Sequence, residues 1–258
     1  MPHTRFPKLS GCELCGSKSP LQRSHLLPNF LFKQLRGRQG GFFAASLPER
    51  PIQAGPTVNL LCYSCEQRIS LWEGEVQRSF YPTQTQAKLP IKYGPWLQMF
   101  ALSISWRALT YLKHSTKNPY VSLSPAAEDL LPTIPDELHT LAEARRVEWG
   151  KALLLGQAPS DQNDQHLLFL NGKNFPYERS GVVGFTVCIG NSIAAIVSQL
   201  GPCCVLGVLR DERPLAWKGT RIQSLGGKFH VVSQTIPEDF STWLYNYFRN
   251  IANIEGRV

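Results

Sequence analysis

The spacing of apolar positions changes from helical to alternating near the middle of this chain. Residues 96–114, WLQMFALSISWRALTYLKH, are apolar on most faces of a helix, with Arg107 as the one interior charge. That pattern predicts a helix central to a packed domain, with Arg107 paired to a carboxylate because a lone buried charge is costly. A second helix is expected from Pro135 or Asp136 to about Leu155, opened by Asp136 and Glu137 near its positive end. Segments 166–171, 184–190, 192–200, 203–209 and 228–234 then read as strands, most of them divided by Gly, Pro or Asn turns. Residues 238–250 read as a closing aromatic helix.

Ahead of residue 96 the pattern is weaker. Leu21 to Leu27 reads as a short strand or the lead into one, and Pro28-Asn29 starts a helix through about Arg36. A flexible loop at 37–41 and an extended or looped stretch at 42–58 follow. Residues 65–80 read as a helix with Ile69, Trp72, Val76 and Phe80 on one stripe, and Glu66, Ser70 and Glu73 on another face. The polar, proline-bearing stretch 81–95 reads as a linker or domain edge. The expected fold class is α+β, with residues 1–90 as one module and 91–258 as a helix-plus-antiparallel-sheet domain.

Charge sharpens this division. The chain carries a formal +8, and residues 1–90 hold eleven Lys/Arg against five Asp/Glu, whereas 91–258 hold sixteen against fourteen. Lys33, Arg36 and Arg38 cluster in the basic part, a surface suited to a phosphate backbone or simply to water. The N-terminus MPHTRFPK shows neither a signal peptide nor an 18-residue apolar span. Seven cysteines, an odd number, suit a reducing compartment, so a cytoplasmic location without membrane partners is expected.

Four of those cysteines form two CxxC pairs, Cys12/Cys15 and Cys62/Cys65, the number of thiolates that a tetrahedral structural zinc site requires. Gly16 suits the tight turn of the first knuckle. A redox pair and a disulfide are the competing readings; a redox CxxC normally follows a strand and opens a helix. Between the pairs lies one histidine, His25. With four sulfurs filling a metal shell, its ring is left for chemistry or for an ordinary structural hydrogen bond. Cys188, Cys203 and Cys204 lie in apolar strands and read as core. No Walker loop, dinucleotide fingerprint, serine-hydrolase elbow or HExxH occurs, which argues against those enzyme classes.

Taken together, Cys12–Gly16, Ser24-His25-Leu26-Leu27-Pro28 and Asn59-Leu60-Leu61-Cys62…Cys65-Glu66 resemble the zinc-braced form of the HNH, or ββα-metal, nuclease superfamily. The resemblance covers about residues 12–75. It implies a hairpin ending in a catalytic histidine (His25), an asparagine before the knuckle that orients it (Asn59), and a following helix that presents ligands to one Mg²⁺ or Mn²⁺ ion. His25 is then the general base for phosphodiester hydrolysis, in DNA in the first instance. Arg23 or the metal supplies positive charge at the transition state. The sequence departs from the family pattern at Ser24, commonly Asp or His, and at Glu66, commonly His; the ligand position a turn further on is Ser70. Glu66 and Glu73 with water remain as an oxygen-ligand set, although Glu73 can equally pair with an arginine. Bacterial or phage DNA processing or defence is the setting such architectures imply. The alternative is a catalytically inactive zinc-containing nucleic-acid-binding or interaction protein, with residues 91–258 engaging a protein partner or a second copy of the chain.

Overall fold

The computed structural model describes residues 7–35, 42–44, 47–52, 55, 57–80, 90–114, 136–157, 164–170, 183–201, 203–230 and 233–254. The N-terminal part is built on strand β1 (Leu21–His25) paired antiparallel with β4 (Thr57–Cys62), and helix α2 (Tyr63–Glu75) leaves directly from the end of β4. Helix α1 (Asn29–Leu35) follows β1, and a separate ribbon of β2 (Phe42–Ala44) and β3 (Leu47–Ile52) lies between α1 and β4 in the chain. The helix expected over 65–80 thus starts two residues earlier and ends in a single π-helical turn, Val76–Phe80. Ile69 and Val76 of the expected stripe are buried.

Helix α3 (Trp96–His114) is buried at every position from Leu97 to Tyr111, as its all-round apolar pattern requires. Helix α4 (Asp136–Leu155) packs beside it. Strands β6 (Gln165–Phe169), β7 (Val183–Ile189), β8 (Ile193–Leu200) and β9 (Cys203–Asp211) form one antiparallel sheet in the order β6-β9-β8-β7. Alternate residues of β8 face opposite cores. Ala194 and Ile196 join Trp106 of α3 and Trp149 of α4, while Ile193, Ala195 and Val197 join Phe240 and Leu244 of the closing helix α5 (Glu238–Ile254). Both faces of the sheet are therefore covered, which is why β8 is buried at every position and opens on five apolar residues in a row. Cys188, Cys203 and Cys204 are buried in it.

Two sequence expectations change. The strand expected over 228–234 is only three residues long, β10 (Gly227–Phe229), and it pairs with β5 (Ile91–Tyr93) instead of joining the main sheet. β5 lies in the stretch expected to be a linker; Tyr93 stacks on Phe229 with ring centroids 4.5 Å apart. A three-residue strand carries too little periodicity to mark β5 or to set the end of β10, and their pairing is set by contacts more than a hundred residues apart.

Packing runs across residue 90. Cys12, Leu14, Leu60, Cys62, Cys65 and Ile69 share one apolar cluster with Met99, Trp106 and Trp149. Among the described residues no helix is long and apolar enough to cross a membrane.

Candidate functional site

The four paired cysteines converge. The first knuckle closes as Gly16 N–H donates to the Cys12 carbonyl at 2.8 Å and Cys12 N–H donates to the Ser17 carbonyl at 2.8 Å. Gly16 takes φ +73°, a left-handed conformation that a side chain would oppose. Glu13 N–H donates to the Leu60 carbonyl at 3.1 Å and holds the knuckle against β4. Cys62 ends β4 and caps α2, and Cys65 lies in its first turn. All four Sγ atoms lie within 4.8 Å of one another, with Cys15 and Cys62 3.7 Å apart. Thiolates about 2.3 Å from a tetrahedral ion would be separated by about 3.8 Å, so the arrangement can hold a metal ion such as zinc.

No cysteine is disulfide-bonded. The second pair does follow a strand and open a helix, the context of a redox pair. The first pair's approach to it distinguishes a metal cluster from that reading. Burial pushes the Cys12 and Cys65 thiols up. Burial opposes ionisation of Cys62 too, but hydrogen bonds from the Cys65 backbone and the neighbouring thiols hold it at about 7. A bound cation relieves this conflict by stabilising all four as thiolates.

His25 sits at the end of β1, opposite Thr57. Alternation along the strand buries Ser24 completely and leaves Arg23 exposed and His25 half-buried. Arg23 Nε donates to Thr57 Oγ1 at 2.7 Å, laying its guanidinium toward the His25 position. Burial lowers the pKa of His25, and the charges of Arg107, Arg23 and Lys33 lower it further against the opposing pull of Glu66. The imidazole is consequently neutral at pH 7, the form that accepts a proton. Asn59 is exposed and pairs in register with Arg23 rather than with the histidine.

The two positions that depart from the family pattern meet each other. Ser24 Oγ donates to Glu66 Oε2 at 2.8 Å, from strand to helix. Glu73, about two turns beyond, accepts from Arg107 Nη2 at 2.7 Å, which supplies the carboxylate expected for that buried cation. Burial raises the Glu73 pKa, with Arg107 opposing and Glu66 adding to the rise. Among the described residues, the four cysteines are the one group of three or more His, Cys, Asp or Glu side chains gathered closely enough to hold a metal. Glu66 and Glu73 form no such group with His25; Glu66 accepts from Ser24 and Glu73 is paired with Arg107. Lys33 is exposed on α1, and Arg36 and Arg38 lie outside the described residues. The contact that sequence reading missed is at the His25 backbone, where Arg107 Nη1 donates to the His25 carbonyl at 2.8 Å. Arg107 was conspicuous as a charge in an apolar helix, but its target lies 82 residues away.

Comparison with family models, curated proteins and solved structures finds no match.

Proposed function

We propose that the protein is a divalent-metal-dependent endonuclease of the HNH type, in which a zinc ion held by the four cysteines braces the fold and His25 is the general base. The observation that carries this reading is the joining of the cysteine cluster, the β1–β4 pair and α2 around a histidine kept neutral by its surroundings. His25 takes the proton of the attacking water, and Arg23 on the same face binds the phosphate. Glu66 would hold Mg²⁺ or Mn²⁺, which usually needs only one or two protein carboxylates beside phosphate and water oxygens; that ion supplies charge at the leaving oxygen. Glu73 serves this reading as the anchor of Arg107, and Asn59, exposed beside Arg23, as a contact to the nucleic acid. Lys33, with Arg36 and Arg38, contacts backbone phosphates.

A second reading, a binding platform without catalysis, is favoured by the engagement of Glu66 with Ser24 and of Glu73 with Arg107. Supercoiled plasmid and single-stranded DNA incubated with Mg²⁺ or Mn²⁺, against EDTA, separate the two. The nuclease reading expects metal-dependent cleavage. DNA retention that weakens with salt, without cutting, supports the platform.

A further inference from the structure

Arg107 belongs to α3, the central helix, yet two of its hydrogen bonds leave that helix for the candidate site. Its side chain is 1% exposed. Nε donates to the Ser103 carbonyl at 3.2 Å, one turn back, which fixes the stem. The two Nη groups then diverge: Nη2 to Glu73 Oε1 at 2.7 Å on α2, and Nη1 to the His25 carbonyl at 2.8 Å at the end of β1. A buried cation needs a carboxylate and enough acceptors, and Glu73 with the Ser103 carbonyl already go far toward that. Charge satisfaction alone does not select the carbonyl of His25, the residue that the nuclease reading makes the base.

The surroundings of His25 give that choice a mechanical meaning. Before it, Ser24 is fully buried and bonded to Glu66. After it, Leu26 and Leu27 are buried in the core. His25 itself is only partly exposed at the end of the hairpin strand. The residue is thus held at its backbone in a partly buried position, and the hold at the carbonyl comes from α3.

We propose that Arg107 is a positioning residue: by tying the His25 carbonyl to the Glu73 carboxylate it lets α3 set the orientation of the His25 imidazole. This rests on the nuclease reading for its catalytic consequence, but not for the contact itself. Positioning of this kind acts on turnover more than on binding, because a small displacement of a base removes transition-state stabilisation and leaves phosphate contacts in place.

The test is Arg107→Lys, made alone and in a His25→Ala background. Lysine keeps the charge but lacks the planar fork that reaches two acceptors at once. The variant is expected to lower kcat for plasmid nicking by about 100-fold with KM nearly unchanged, and to add no further loss once His25 is absent. A raised KM with kcat intact, or losses that multiply in the double variant, overturns the proposal. If the wild-type protein cuts nothing, the nuclease reading falls, and NMR decides the positioning on its own. The His25 ring resonances should then shift or broaden in Arg107→Lys while those of the exposed His139 and His230 stay in place; an unmoved His25 ring overturns it. If Arg107→Lys does not fold, the wild-type Arg107 guanidinium is read instead. Separately resolved Nη protons, showing slow rotation, support the two-point tether, and a single averaged resonance contradicts it.

Discussion

A base that works at neutral pH must be unprotonated there, and His25 owes this to its position, not to a partner. Burial penalises the imidazolium, and Arg107, Arg23 and Lys33 add like charge, with Glu66 pulling the other way. The sign of the pH effect on stability follows. The folded pKa lies below the ordinary 6.5, so the unfolded chain binds the extra proton first. The stabilisation linked to this site is complete above 6.5 and is lost as pH falls through the folded value. Replacing His25 with Gln should therefore make the decline in stability from about pH 7.5 to about pH 5 shallower than in wild type. Urea denaturation of both proteins at the two pH values measures the difference, and a steeper decline in the variant would count against a depressed His25 pKa.

Among the elements, α3 and the sheet it covers are the most legible and the most constrained. The limits of α3 could be read directly because it is apolar on most faces, and α4 because acidic residues mark its start. The four long strands were legible by their apolar runs. β5 was not, and β10 was expected to run on to residue 234; three residues show little period, and only their pairing, with Tyr93 stacked on Phe229, reveals them as partners. The close approach of α3 to β9 was equally hidden. A Cβ on Gly207 would lie 2.5 Å from Ser105 Oγ and 2.8 Å from the Trp149 ring. Gly207→Ala should cost about 1–3 kcal/mol through overpacking, read as a lower midpoint in thermal or urea unfolding. A neutral effect would mean that α3 and α4 can move off the sheet.

At the scale of the whole molecule, the cysteine cluster and the central helix share one core, as Cys12, Cys62 and Cys65 lie in the same cluster as Trp106 and Trp149. Metal removal should therefore disturb more than the knuckles. A strong chelator is expected to release about one zinc per chain and to change tryptophan fluorescence and urea stability together, in one transition. Two separable transitions would show that the module around the cysteines unfolds alone. The cysteine cluster itself was legible because CxxC spacing is a local signal. Its surroundings were not: the Ser24–Glu66 bond spans 42 residues and the Arg107–His25 bond 82, and both exist only after β1 has paired with β4 and α3 has docked. Sequence supplied the residues of the site, and tertiary packing decided their partners, most clearly by giving Glu73 to Arg107.

Comparing wild type and His25→Ala in Mg²⁺- or Mn²⁺-dependent DNA cleavage, at equal zinc content and equal DNA binding, decides whether His25 is the base of a phosphodiester hydrolase. Cleavage by the wild type and a loss of at least about 100-fold in the variant are expected of that role, the scale at which general-base catalysis acts. Equal cleavage by both proteins, or none by either, would contradict it.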